Sequence, residues 1–488
     1  MSAAWPGLGR SRSVIIRRES RVWGEEWSAR AAARPRLCDA RRVDFGGRSN
    51  QASRGAGPSP GPLTVDAVHT KDQTIQDMAR AARAASRVLA RTPGAARTRA
   101  IVRSAELLRT RMDVVLEANA RDVAAAEASG TAPSFVDRLR LDPSRIEGMA
   151  SALDEIAVQA DPVGEVAEER IRPNGLRVAR QRIPLGVVCM IYEARPNVTS
   201  DAAALALRSG NAVLLKGGSA AARSNAAIGA LLREAIADSG LPADAVIQLE
   251  PSDREGLRTL LGLDDLIDVV IPRGGSGLIR YVSEHSRIPV IRHFEGVCHV
   301  YLHSDAPRER ALSIVVNAKA QRPSVCNAAE TLLVHADAVD GVLGPLVDAL
   351  HDAGVRLHAC DRTLSRLPAH PALTPATDED WGREYLSLDL AVRIVDSLEE
   401  ATDHIARHGS GHTEAIITDS IAASREFIDR VGSSCVMVNA STRFADGGEL
   451  GLGAEMGIST SRLHAYGPMG ARELTTTRFV VTGDGHVR

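Results

Sequence analysis

Lysine is nearly missing from this chain. Of its 59 basic residues only three are lysines, Lys71, Lys216 and Lys319, which leaves 56 arginines. A compact ammonium and a planar guanidinium act differently where a phosphate or a ribose must be met, so the places of the few lysines carry information. Lys216 opens a Gly-rich turn, Lys216-Gly217-Gly218, and Lys319 lies seven residues before Cys326. Other features are missing altogether. No uninterrupted apolar stretch reaches the about 20 residues that span a bilayer, which argues against a membrane protein. The six cysteines (38, 189, 298, 326, 360 and 435) show no CxxC spacing. That argues against a zinc site and a disulfide framework and points to a reducing, cytoplasmic compartment. No HExxH pair, P-loop or GxSxG elbow occurs, so no metal is expected. A net charge of −2 supplies no global basic field, and no nucleic-acid partner is expected.

The charge that is present is unevenly placed. Residues 1–65 hold twelve arginines and five acids, a net of +7, which leaves −9 for the rest of a chain whose total is −2. Three of the four tryptophans, Trp5, Trp23 and Trp27, fall there too, and the segment ends in Gly55-Ala-Gly-Pro-Ser-Pro-Gly-Pro62. Low apolar periodicity predicts a disordered, Arg-rich extension over 1–65. A transit peptide is the alternative, weakened by Glu19, Glu25, Glu26, Asp39 and Asp44.

Beyond it, apolar residues recur at three- and four-residue spacing and predict helices over 75–89, 101–108, 114–128 and 143–159. Asn174-Gly175 sits between two alternating runs, the strongest short hairpin signal. A polar, Arg-rich ribbon there predicts a subunit contact, so a homo-oligomer is expected. Strand and helix then alternate over 185–306 and again over 307–435, which predicts parallel βαβ units. The expected class is α/β, with a Rossmann-type cofactor domain (66–165 and 185–306) and a second α/β catalytic domain (307–455). An oligomerisation ribbon and tail (166–184 and 456–488) completes the expected organisation.

In such sheets ligands bind beyond the carboxyl ends of strands. Lys216 and Ser219 lie at one such end, and Gly274-Gly275-Ser276-Gly277 at another, before a helix whose N-terminus can hold a phosphate. Two Gly-rich turns on one sheet point to a dinucleotide. No acid follows Lys216 closely, and Arg223 is near, which favours NADP over NAD; alternatively Arg223 belongs to a solvated helix face. Asn197, in the polar run after an apolar strand, could aim its amide at a developing oxyanion or could simply form an Asx turn. Cys326 stands between a helical and a strand-like pattern, where a thiol can act as a nucleophile.

Several runs carry a resemblance to one family. They include Ile191-Tyr-Glu-Ala-Arg-Pro-Asn-Val-Thr199, Ile271-Pro-Arg-Gly-Gly-Ser-Gly277, Gly296-Val-Cys-His-Val-Tyr301, Asn317-Ala-Lys319 through Cys326-Asn327, Glu384-Tyr-Leu-Ser-Leu-Asp-Leu390, Val438-Asn-Ala-Ser-Thr-Arg-Phe444 and His464-Ala-Tyr-Gly-Pro-Met-Gly470. In order, from about 74 to 488, the chain resembles the γ-glutamyl phosphate reductases (glutamate-5-semialdehyde dehydrogenases) of the aldehyde dehydrogenase superfamily. The resemblance implies an aldehyde-dehydrogenase-like fold and NADPH-dependent reduction of L-glutamate 5-phosphate to the semialdehyde in proline biosynthesis. It implies Cys326 as nucleophile, Asn197 with the Cys326 backbone N–H as oxyanion hole, and Glu384 at the nicotinamide ribose. Lys216 and Ser219 fall at the adenosine ribose, Gly275 and Ser276 at the pyrophosphate. Lys319 and Arg322 are the choices for the substrate phosphate, with a structural-cap role for Lys319 equally open. Hydrolytic relatives carry a glutamate base in a Glu-Leu-Gly-Gly run; here that stretch reads Arg292-His-Phe-Glu295-Gly, with Glu295 the fallback. A glutamate kinase stands as a partner for substrate transfer. A CoA-acylating aldehyde dehydrogenase and a non-catalytic binding protein are the competing readings.

Overall fold

The described residues of the computed structural model are 71–251, 254–292 and 294–488, so the extension expected over 1–65 lies outside them. The amphipathic runs form helices Lys71–Leu89, Gly94–Thr110, Met112–Ala128 and Pro143–Val158, with a short helix, Pro133–Leu139, that the periodicity did not single out. Asp142 caps the last of the long helices, its carboxylate accepting from the Arg145 N–H. These helices and those at Asn197–Arg208 and Ala222–Asp238 cover a four-stranded parallel sheet of order Val246–Gln248, Ala212–Gly217, Val187–Tyr192, Val269–Arg273. Val187–Tyr192 is buried at every residue, as an unbroken apolar run in a sheet covered on both faces should be. The stretch 289–291 adds only a single parallel bridge, Val270 to Val290.

A second parallel sheet has seven strands. Its order is Leu373–Pro375, Arg356–Ala359, Asp389–Val395, Ala329–His335, Cys298–Leu302, Thr413–Ile417, Cys435–Val438. Two separate apolar clusters lie on its two faces, one around Leu346 and Val392, the other around Phe427 and Tyr301. A π turn at Val339–Leu343 precedes the regular helix Gly344–Asp352.

The domain limits differ from expectation at two points. Cys298–Leu302 pairs with Ala329–His335 and Thr413–Ile417, so the chain has already crossed into the second lobe before residue 307. Strand pairing at that distance is invisible to local pattern. Part of the stretch 456–488 also serves the first lobe, since Met456, Ala465, Met469 and Leu474 join its core. The hairpin is as expected. Val166–Ile171 and Arg177–Pro184 run antiparallel through a turn where Gly175 has φ +91°, a conformation that suits glycine. Thr475–Thr482 adds a third antiparallel strand to the ribbon.

Phe427 is fully buried and stacks on Tyr301 with ring centroids 6.2 Å apart. Phe427→Ala should lower the unfolding free energy by about 3–5 kcal/mol in a denaturant titration, because a large cavity replaces the ring.

Candidate active site

The two sheets supply opposite strand ends to the site. The first lobe presents carboxyl ends: Glu193 to Asn197 follow Val187–Tyr192, and Arg273 ends Val269–Arg273. The second presents amino ends. Gly296 precedes Cys298–Leu302, Cys326 precedes Ala329–His335, and Glu384 precedes Asp389–Val395.

Cys326 is half-buried in the loop after the helix Arg308–Ala320. Gly296 lies directly on it. A Cβ at Gly296 would overlap the Cys326 carbonyl oxygen and fall 2.7 Å from its Cα, so only glycine fits. The Gly296 N–H donates to Glu384 Oε1 at 2.9 Å, and the buried Cys298 thiol donates to the Cys326 carbonyl at 3.2 Å. Burial raises the Glu384 carboxyl above its usual range; the Gly296 N–H pulls it down and Glu295 pushes it up. Glu295 itself is exposed, one residue from the Gly296 crossing. Cys326, Gly296 and Glu384 therefore form one contiguous patch.

Three guanidiniums gather near the thiol, Arg195 and Arg443 each feeling both Cys326 and Arg322. Burial in the cleft lowers the pKa of Arg195, as do Arg273, Arg138 and Arg322, while the charge on Cys326 acts the other way. Its side chain nonetheless keeps more than a third of its surface open to solvent, so the crowding is local rather than enclosing. Arg443 behaves alike: burial first and then Arg322 lower it, with Asp446 and Cys326 opposing. The Arg443 loop is tied to the Cys326 loop, since the Asn327 amide donates to the Ala445 carbonyl at 3.0 Å and Arg443 Nε to Gln321 Oε1 at 2.8 Å. Arg322 is exposed beside them. Arg195 and Arg443 were missed as site residues although both stand inside motif runs; among 56 arginines the residue type gives no signal.

Asn197 is the first residue of the helix Asn197–Arg208. Its Nδ2 donates to Asp201 Oδ2 at 3.0 Å, one turn on. This orients the amide at the cleft edge. Burial pushes the Asp201 carboxyl up to about 6, against the hydrogen bonds from Asn197 and Ser200.

The structure does not give Lys319 to an external phosphate. Its side chain is 0% exposed and its Nζ donates to Glu330 Oε2 at 2.5 Å, so the expectation fails on burial and on pairing. His404 and His408 stand at an HxxxH spacing with rings 4.6 Å apart, yet among the described residues no three His, Cys, Asp or Glu side chains converge on a metal position.

In the first lobe a cleft of about 840 Å³ runs along Gly217, Gly218, Asn225, Gly229, Gln248 and Glu250. Lys216 and Ser219 flank its two glycines in the chain. Lys216 is half-buried, and burial lowers its pKa. Arg223 lines the same cleft and pairs with the buried Asp122 at 3.2 Å, so it is not simply a solvated residue. Gly275 and Gly277 have nothing within 4 Å of where a Cβ would stand, leaving open room over the turn that begins the helix Ser276–His285. An acid occupies part of that turn: the Gly275 N–H donates to Glu193 Oε2 at 3.0 Å. Open backbone, a helix N-terminus and a long adjoining cleft fit a dinucleotide.

A thiol at the meeting of two parallel sheets, beside a dinucleotide-sized cleft, defines the class: a family model described as the aldehyde dehydrogenase family matches residues 53–361, and its members use a nicotinamide cofactor. A γ-glutamyl phosphate reductase from Anaeromyxobacter sp. strain K is 53% identical over 416 residues, 85% of this chain and 97% of that protein. One from Thermobifida fusca is 51% identical over 417 residues, 86% and 99% of the two chains. The crystal structure of the γ-glutamyl phosphate reductase of Thermotoga maritima superposes with a TM-score of 0.82 at 42% identity, covering 85% of this chain and 99% of its own. An acetylating aldehyde dehydrogenase from Geobacillus thermoglucosidasius shares the fold at 18% identity, with a TM-score of 0.61 and coverage of 86% and 98%. The chain belongs to the γ-glutamyl phosphate reductases.

Glu193 and a cofactor pyrophosphate would compete for the same N–H groups. Glu193→Gln should therefore tighten binding of the nicotinamide cofactor, lowering Kd up to about fivefold, since a charge at a helix N-terminus is worth about 1 kcal/mol or less. Titration of NADPH fluorescence reads this, and an unchanged Kd counts against it.

Proposed function

We propose that this chain reduces L-glutamate 5-phosphate to L-glutamate 5-semialdehyde with release of phosphate, in proline biosynthesis, using NADPH. The observation that carries the reading is the Cys326 thiol set among Arg195, Arg322 and Arg443 and backed by Gly296 and Glu384. Three cations attract a dianionic acyl phosphate. The thiolate attacks the acyl carbon, the carbon–oxygen bond to phosphate breaks, and phosphate leaves with the electron pair from a Cys326 thioester. The arginines offset the charge on that leaving group. Asn197 and the Cys326 backbone N–H stabilise the oxyanion, an arrangement in which one donor is worth about 3 kcal/mol. When bound, the cofactor supplies the hydride that reduces the thioester. The carbon–sulfur bond then breaks, the thiolate returns to Cys326, and the aldehyde departs.

Lys216, Ser219, Gly275, Ser276 and Glu384 would hold the cofactor, with Lys216 and Arg223 supporting a 2′-phosphate. Arg322, joined by Arg195 and Arg443 in place of the buried Lys319, would hold the substrate phosphate. No step asks for a water-activating base, so Glu295 has no assigned part. Among the described residues no helix is long and apolar enough to cross a membrane. A second copy of the chain would pair on the ribbon, whose Ile171, Phe479 and Val481 are exposed.

The reverse reaction is the test. Oxidation of the semialdehyde by NADP⁺ should require phosphate and ignore coenzyme A, and Cys326→Ala should stop it. Turnover without phosphate, or with coenzyme A in its place, would point to the acylating reading. A second prediction concerns pH. As pH falls through about 6, Asp201 takes up a proton and ceases to be an anionic acceptor for the Asn197 amide. The forward kcat/KM should then show an acid limb with an apparent pKa near 6, and Asp201→Asn should remove that limb while Asn197→Ala lowers the rate about 100-fold or more.

A further inference from the structure

Lys319 and Glu330 sit at the two ends of the loop that carries Cys326. Lys319 is in the last turn of the helix Arg308–Ala320, and Glu330 is the second residue of the strand Ala329–His335. Both side chains are 0% exposed, with Nζ and Oε2 2.5 Å apart. The other carboxylate oxygen, Oε1, accepts the Leu386 N–H at 3.3 Å. Lys319 Nζ also lies 5.8 Å over the Tyr385 ring, whose hydroxyl donates to Asp380 at 2.7 Å. The pair therefore closes the Cys326 loop and reaches the two residues that follow Glu384.

Leu386 has φ +54°. A leucine there is strained, and such positions persist only where their surroundings hold them. The Glu330 hydrogen bond is one such restraint. A fully buried ion pair is also a poor stabilising device, because removing two charges from water costs about what their attraction returns; apolar replacements are commonly neutral or better. Burial here pushes Lys319 down and Glu330 up, both toward the neutral state, with their mutual attraction opposing. A structure that needed only stability at this point would do as well with two apolar side chains.

We infer that Lys319 and Glu330 are positioning residues that couple the Cys326 loop to the Glu384 loop, setting the cofactor-facing carboxylate relative to the thiol. The inference rests on the proposed parts of Cys326 and Glu384. Neither side chain touches substrate; both act through the backbone of 384–386 and through the loop ends.

The test is the double variant Lys319→Met/Glu330→Met, which keeps the volume and removes both charges, assayed in the direction semialdehyde plus phosphate plus NADP⁺. The expected result is a folded protein with an unchanged unfolding midpoint, a KM for NADP⁺ raised about tenfold, and a KM for phosphate within twofold of the parent. Parental KM values for both, or both rising together as the midpoint falls, would overturn it. Should the double variant not fold, Glu330→Gln takes its place: a raised KM for NADP⁺ alone supports the coupling, and any other pattern overturns it. Glu384→Gln is the control. If it leaves the KM for NADP⁺ unchanged, the assignment of Glu384 has failed; if it raises that KM and the pair variant does not, only the coupling has failed.

Discussion

The tightest constraint in the molecule is a crossing of two backbones. Where the chain passes from the first lobe to the second, Gly296 lies on Cys326 so closely that no side chain can stand between them. The connection from the first lobe to the second therefore passes directly against the Cys326 backbone. Glu384 accepts the Gly296 N–H from one side, Cys298 binds the Cys326 carbonyl from another, and the Lys319–Glu330 pair ties the loop ends from below.

The opposed sheet edges divide the chemistry. The four-stranded sheet contributes backbone N–H groups and small residues at its carboxyl ends, the usual resource for binding anions without a charged side chain. The seven-stranded sheet contributes loops at its amino ends, which have no such resource. Its positive charge near Cys326 comes instead from guanidiniums: Arg322 and Arg443 within the lobe, with Arg195 from the other. Arginine holds its charge even when crowded by its own kind, whereas a half-buried lysine such as Lys216 titrates lower.

The architecture was largely readable from local pattern. Helix spacing, the Asn174-Gly175 turn and the apolar strands at Val187–Tyr192 and Ala329–His335 follow from side-chain period and turn chemistry, which are local properties. What escaped is long-range. That Cys298–Leu302 lies between Ala329–His335 and Thr413–Ile417 depends on partners far along the chain. At the site, the motif runs marked Cys326, Asn197 and Glu384, but roles within those runs depended on direction and depth. Lys319 drew notice for its rarity and for its nearness to Cys326. Its ammonium points inward to Glu330, and no spacing rule distinguishes that from pointing at solvent. Glu193, in the same run as Asn197, reaches the Gly275 turn 82 residues away, which only the folded chain reveals.

The scarcity of lysine has a practical side. With Lys319 sealed inside the second lobe, Lys216 is the one other lysine between residues 72 and 488. An amine-reactive label recovered beyond residue 71 would thus report on one place, the turn at the end of Ala212–Gly217. Protection of that single amine by a nucleotide would map occupancy of the cleft without any engineered probe, an experiment that a lysine-rich surface would obscure.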